Sequence, residues 1–234
     1  MSNNYSKSYF QEGQVLLIDK PLTWTSFDVV NKIRYAIRRN FDIRKIKVGH
    51  AGTLDPLATG LLIICTGKAT KQINNFMGQH KEYTGTIKLG ATTPSFDLET
   101  DIDNTYPTEH INQQMVNEVI QGHFTGEIEQ IPPVFSAIKK DGQKAYELAR
   151  QGIDMEMKSR TVHIHEFKAE LKDQSLHFKV VCSKGTYIRS LANDIGKALN
   201  SGGHLTTLRR TAIGDYRVEH AMDPLKFVGE LDEI

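Results

Sequence analysis

GHAGTLDPLATGLLIIC, Gly49 to Cys65, sets a Gly/Thr/Pro-rich loop with one carboxylate, Asp55, just ahead of a five-residue apolar run, Leu61 to Cys65. The loop is not a phosphate cradle. The pattern GxxxxGKS/T is missing, and Gly49-x-x-Gly52 does not open onto a helix after a strand. The stretch therefore does not begin a nucleotide-binding βαβ unit, and the elements on either side decide the fold.

Upstream, QVLLID (Gln14 to Asp19) reads as a short buried strand ended by Lys20-Pro21. Thr25-Ser26 offers an N-cap for a helix with apolar residues at 27, 29/30, 33 and 36/37. Val48 to Gly60 reads as loop and Leu61 to Thr66 as strand. Downstream, Gly67 to Met77 reads as a helix and the alternating KEYTGTIKL (Lys81 to Leu89) as a strand. Ala91 to Pro107 is a polar, acidic loop, and Thr108 caps a helix to Gln121. Glu129 to Arg160 is a long excursion with a short helix, AYELARQG. Thr161 to Cys182 holds two alternating strands, Thr186 to Leu199 an amphipathic helix, and Leu205 to Tyr216 a strand or strand pair. There is no internal repeat and no low-complexity segment. Strands and helices do not alternate regularly, and neighbouring strands look like hairpins. The expectation is an α+β fold with a mixed, mainly antiparallel sheet flanked by helices and loops.

The chain has 234 residues, enough for one substantial core. Its longest apolar run is far short of the roughly 20 residues a membrane span needs, and MSNNYSKSYFQEGQ has no signal-peptide core. A soluble, cytoplasmic protein without membrane association is expected. Cys65 and Cys182 sit in apolar runs and read as buried thiols; CxxC and Cys/His metal patterns are absent.

Net charge is +1, but it is segregated. Lys32 to Lys47 holds seven basic residues and one acid; Lys184 to Arg217 holds six basic residues and two acids; Asp97 to Glu109 holds five acids and no Lys or Arg. Such clusters either solvate helix faces or present a basic face to nucleic acid.

Four residues stand out chemically. Asp55 precedes Pro56, which biases it toward an extended or turn conformation; on composition it is a turn residue or a catalytic carboxylate. His50 is a loop histidine with several available roles. Tyr83 lies in an alternating strand, where a half-buried aromatic is ordinary. Arg189 falls in the first turn of its helix, where a cation is unfavourable beside the helix dipole. That placement points to an anionic partner or to a surface side chain.

Six segments, in order, closely resemble the bacterial tRNA pseudouridine synthase B (TruB) family: LLIDKPLTWTSFDVV, VGHAGTLDPLATGLLIICTGKATK, KEYTGTIKLG, EQIPPVFSAIKKDGQKAYELARQG, VCSKGTYIRSLANDIG and GGHLTTLRRTAIGDY. The resemblance covers roughly Gln14 to Tyr216 and implies the pseudouridine synthase fold. It implies isomerisation of the T-loop uridine 55 of tRNA, with base flipping and with no metal or organic cofactor. On this resemblance Asp55 matches the catalytic aspartate, Arg189 the arginine that pairs with it, and Tyr83 the tyrosine that packs on the target base. His50 matches a histidine that enters the RNA. The excursion from 131 to 160 matches an RNA-clamping insertion, with Lys139, Lys140, Lys144 and Arg150 as phosphate contacts. Lys20, Lys71, Lys184, Tyr187 and Arg209 are expected on the same RNA face. Asp97 lies where the family has an aspartate, but in altered surroundings, and no role is carried over to it.

The expected organisation is an N-terminal tail (1–13) followed by one catalytic domain (14–234). The family's small C-terminal RNA-binding (PUA) domain is expected to be missing, since only Arg217 to Ile234 follow the last motif. The expected partner is the T-arm stem-loop of tRNA, bound by a monomer without guide RNA. Two alternatives differ in class or partner: a guide-RNA-dependent pseudouridine synthase subunit, and a tRNA-folding protein with secondary catalysis. PLATGLL and the short tail speak against the first, and the set of Asp55, Tyr83 and Arg189 against the second.

Overall fold

The computed structural model describes residues 5–136, 139, 140, 143–145, 148, 151 and 155–233. The segment expected as a tail carries helix α1 (Lys7–Glu12), capped by Ser6, whose Oγ accepts from Tyr9 N. Strand β1 (Val15–Lys20) and helix α2 (Ser26–Asn40) follow as read. Thr25 and Asp28 form a full capping box on α2. Strand β2 (Val48–His50) lies inside the stretch read as loop, and β3 (Ala58–Thr66) begins three residues earlier than Leu61. After a 3-10 turn (Gly67–Gln72) come helix α3 (Ile73–Gly78), strand β4 (Lys81–Leu89) and the two-residue strands β5 (Ala91–Thr92) and β6 (Asn104–Thr105).

Helix α4 (Gln113–His123) is capped by Asn112, not Thr108. The Asn112 carboxamide accepts from Met115 N at 3.0 Å, while Thr108 closes a separate turn by accepting from Ile111 N. Strands β7 (Gly126–Gln130), β8 (Lys139–Lys140), β9 (Gln143–Lys144), β10 (Arg160–Lys172) and β11 (Ser175–Cys182) follow. The expected helix AYELARQG falls largely outside the described residues. Helix α5 (Ile188–Ala198), strand β12 (Gly203–Ile213), strand β13 (Tyr216–Arg217) and helix α6 (Pro224–Asp232) complete the chain.

Two compact units emerge, one of residues 1–83 with 209–234, the other of residues 84–208. In the first, β3 pairs antiparallel with both β1 and β2, and β12 with β13. A single parallel bridge joins Ile18 to Met222. Alternation along β3 explains its unbroken apolar run. Leu62 and Ile64 join α2, α1 and α6 through Val29, Ile33, Ile37, Phe10 and Phe227. Leu61, Ile63 and Cys65 join Ala69, Phe76, Ile213 and Val218. Both faces are covered, so neither phase of the period-2 pattern is polar. Phe10 is fully buried against Tyr5, Tyr9, Phe41 and Phe227, which fixes the N-terminal segment in the core.

Gly60, inside β3, has φ +105°, and a Cβ there would lie 2.3 Å from Arg210 O. Gly60→Ala is therefore expected to destabilise the protein by about 2–4 kcal/mol, strain and a backbone clash acting together. A urea midpoint equal to that of the wild type would contradict this.

In the second unit, β10 pairs antiparallel with β7 and β11. The β10–β11 hairpin turns at Asp173-Gln174, both at positive φ (45° and 60°), as a tight primed turn requires. A register shift between Ile164 and Glu166 moves the buried phase from Val162 and Ile164 to Phe167. Helix α4 is tied to β10 by Gln113, which donates to Ala169 O and accepts from Leu171 N. The strand pairs named above are antiparallel, which together with the parallel bridge agrees with a mixed, mainly antiparallel α+β fold. Cys65 and Cys182 are both buried, and burial pushes the Cys65 thiol up to about 11. Among the described residues no helix is long and apolar enough to cross a membrane.

Candidate active site

The Asp55 loop, in the first unit, is held carbonyl by carbonyl. Arg210, fully buried, donates Nε to Leu61 O (2.8 Å) and Nη2 to Gly52 O (3.1 Å), with Nη1 3.5 Å from Thr53 O. Ser26, at the first position of α2, accepts from Leu54 N (2.8 Å) and donates to Leu54 O (3.1 Å). Asp55 O accepts from Ala58 N (3.0 Å), closing a turn with Pro56 at its second position. Pro56 O accepts from Thr23 N (2.9 Å) and lies 3.5 Å from Lys20 Nζ. Ala51 N donates to Ile63 O (2.9 Å), and Leu54 is buried. Every carbonyl from Gly52 to Pro56 thus has a partner, and the half-buried Asp55 side chain stands on a backbone with little freedom left. Asp55 is a turn residue and a preorganised carboxylate at once.

Lys20, expected on the RNA face, points inward. It is fully buried, and its ammonium donates to Pro21 O (2.9 Å) and Trp24 O (2.6 Å). Burial brings its pKa down to about 8, the negative charge of Asp55 acting in the opposite direction. Arg209 is engaged as well: its partly exposed guanidinium forks onto Asp19 at 3.0 and 2.7 Å as a bidentate pair. The two arginines of LRR part ways because successive strand residues point to opposite faces. That adjacency is the signal by which Arg210, overlooked in the sequence, can be found: one of two consecutive arginines in a half-buried strand must face inward.

His50 ends β2 rather than sitting in a loop, paired in register with Ile64. Burial first, and the Arg210 charge second, hold its pKa below the usual histidine value, so the ring is neutral at pH 7. Lys71 is exposed in the 3-10 turn. Tyr83 is the half-buried third residue of β4; beside it, the Glu82 carboxylate accepts from the Thr211 hydroxyl (2.7 Å).

In the second unit, Arg189 occupies the first turn of α5 as read, and it is buried. Its Nη1 donates to Ser95 O (3.3 Å) and its Nη2 to Phe135 O (2.9 Å), while Nε lies 3.6 Å from Asp97 Oδ2. Asp97 is buried too; its Oδ1 accepts from Glu99 N, and its carbonyl from the Thr93 and Ser95 hydroxyls. The altered surroundings of Asp97 therefore build a polar nest that holds a carboxylate against Arg189, a role the sequence left unassigned. A buried cation at a helix N-terminus needs such compensation.

The same helix turn anchors the root of the insertion. Gln130 brackets the Tyr187 backbone, donating to its O (3.0 Å) and accepting from its N (2.7 Å). Ser190 donates to Ile131 O (2.7 Å). The Tyr187 ring is faced by the Arg160 guanidinium at 5.1 Å, and Lys184 is exposed in the preceding turn. Of the insertion's expected phosphate contacts, Lys139, Lys140 and Lys144 lie on the paired backbones of β8 and β9. Their side chains, and Arg150 altogether, lie outside the described residues.

These features are a fixed carboxylate loop, a strand tyrosine and a buried arginine–aspartate pair. Comparison with known proteins places the chain in a family. The model described as TruB family pseudouridylate synthase (N-terminal domain) matches residues 38–188, and that described as tRNA pseudouridylate synthase B C-terminal domain matches 189–228. A protein of Phocaeicola vulgatus named tRNA pseudouridine synthase B is 61% identical over 96% of this chain and 95% of its own length. Its namesake in Flavobacterium johnsoniae is also 61% identical, over 92% and 94%. The chain belongs to the TruB family of pseudouridylate synthases, isomerases built on an α+β fold. Among solved structures, a Cbf5-Nop10-Gar1 complex superposes with a TM-score of 0.69 at 28% identity, over 95% of this chain and 55% of that chain. An H/ACA RNP bound to a substrate RNA containing 2'-deoxyuridine gives 0.68 at 26%, over 97% and 57%.

Proposed function

We propose that this chain converts the T-loop uridine 55 of tRNA into pseudouridine, without a guide RNA. The observation that carries the reading is the Asp55 loop: a carboxylate on a backbone whose carbonyls are tied from Gly52 to Pro56. The reaction needs an ionised carboxylate held still against a ribose, and a fixed loop supplies it without reorganisation. The names and identities of the relatives in Phocaeicola and Flavobacterium support tRNA as the RNA. The H/ACA neighbours are far less similar and match little more than half of their own chain, which favours the guide-independent reading.

In this account the C1′–N1 bond breaks, the detached uracil turns, C1′ bonds to C5, the C5 proton leaves, and N1 takes up a proton. Asp55 acts at the sugar, as nucleophile at C1′ or as base at the 2′ position. Arg189 supplies the cation for that step, and Asp97 positions Arg189. Tyr83 presents its ring to the base and its hydroxyl to the departing C5 proton. His50, kept neutral, suits a ring that stacks where the target base has been flipped out.

The test is to incubate the protein alone with an unmodified T-arm stem-loop and map pseudouridine. One modified uridine is expected, and no product on the stem-loop or on full tRNA contradicts the reading. Tyr83→Phe should bind this RNA as the wild type does but turn over about 100-fold or more slower, the size of a lost proton-transfer group. Unchanged single-turnover rates would remove the hydroxyl from the mechanism.

A further inference from the structure

Helix α2 carries a surface that the chemistry at Asp55 does not use. Its inner residues Val29, Val30, Ile33, Ala36 and Ile37 are in the core. On its outer side Phe27 and Tyr35 are 60% and 64% exposed, large rings left facing water. On a helix, the neighbours of Tyr35 three and four residues away are Asn31, Lys32, Arg38 and Arg39. The connection to β2 adds Arg44, Lys45 and Lys47, against the single acid Asp42.

The rings are braced rather than loose. The Arg39 guanidinium lies 5.9 Å from the Tyr35 ring centre and is itself paired with Asp232 of α6, which also accepts from Asn40. Arg34 lies 6.0 Å from the Phe27 ring. Tyr35 forms one wall of a cleft of about 530 Å³ shared with Thr23, Trp24, Asp28, Asn31 and Lys32. Asp28, the one acid there, is engaged by the Thr25 backbone and hydroxyl in the capping box. The cleft starts at the reactive loop, since Thr23 N donates to Pro56 O beside Asp55. From there the 15 residues of α2 extend for roughly 22 Å.

We infer that this face of α2 is a second RNA-binding surface. It takes the sugar-phosphate backbone of the strand leading away from the target nucleotide on Lys32 and Arg38, with an unpaired base stacked on Tyr35. The inference rests on the reading of the substrate as RNA. Its ingredients are those of a single-strand platform: an aromatic face for a base, with cations beside it for phosphates. Basic residues that merely solvate a helix need no exposed, braced rings. A protein-docking patch is ordinarily depleted of lysine around its aromatic centre.

The experiment measures affinity for an unmodified tRNA transcript across a salt series. The proteins are the wild type, the double variant Lys32→Gln/Arg38→Gln, Tyr35→Ala and Tyr35→Phe. The charge variant should bind several-fold more weakly, with a log–log salt slope shallower by about one to two. Tyr35→Ala should bind about fivefold or more weakly with the slope unchanged, and Tyr35→Phe should bind like the wild type. Wild-type affinity and slope in both the charge variant and Tyr35→Ala overturn the inference. The wild type's own activity on the T-arm stem-loop keeps this failure distinct from a failure of the proposed function.

Discussion

Asp55→Asn is expected to leave RNA binding within a few-fold of the wild type and to lower turnover by about 1,000-fold or more. The substitution keeps the size of the side chain and removes only its charge and basicity. The Asp55 backbone bond to Ala58 N and the clamps on its neighbours do not involve the carboxylate, so the loop should keep its shape. An amide neither attacks C1′ nor takes a 2′ proton, so both forms of the mechanism predict the same loss. Single-turnover kinetics at saturating RNA read it directly. Retained activity would move the reactive group elsewhere and leave Asp55 as a turn residue.

Arg210→Met should lower stability by about 3–5 kcal/mol, because two charge-assisted bonds, to Leu61 O and Gly52 O, are lost in a buried setting. For a chain of this size that corresponds to a melting temperature lower by on the order of 10 °C. The larger consequence is local. Gly52 and Thr53 precede Asp55 by three and two residues, and Leu61 starts the anchoring run, so a single guanidinium bridges both ends of the Asp55 loop. Turnover should fall more than tenfold even at a temperature where the variant is fully folded. Arg210→Lys should recover only part of this, since an ammonium cannot span the planar fork. A variant with wild-type melting temperature and turnover would show that Ser26, Thr23 and Lys20 suffice to hold the loop.

The fold was legible where a pattern had one cause. LLIIC reads as a buried strand because both of its faces are covered, and the helical spacing of α2 matches its buried face at 29/30, 33 and 36/37, while Phe27 faces water. It was illegible where an element is short or set by tertiary contacts. Helix α1 is six residues long with one core residue, Phe10, and β2 is three residues of a Gly-containing stretch that only β3 makes a strand. The cap of α4 was misplaced because Thr108 and Asn112 are both good caps, and only the observed bond selects Asn112.

At the site, Arg189 announced itself by standing in an unfavourable helix turn, and its buried contacts explain why. The burial of Lys20 was not legible because lysines are almost always exposed; its ammonium finds carbonyls of the Pro21 to Trp24 turn, with Pro56 O close by. The role of Asp97 was left open, and Arg210 was overlooked, for a shared reason. Each acts on the backbone or side chain of a residue far away in sequence, so the sequence can suggest that the side chain is buried, as the adjacent arginines do for Arg210, but not which residue it holds.

The central claim is a guide-independent isomerisation at one position of tRNA. The most direct measurement is pseudouridine mapping of an unmodified full-length tRNA transcript after incubation with the purified wild-type protein and no other RNA. The account predicts complete conversion at uridine 55 and none elsewhere. Product at other positions, or no product until a guide RNA is added, would contradict it.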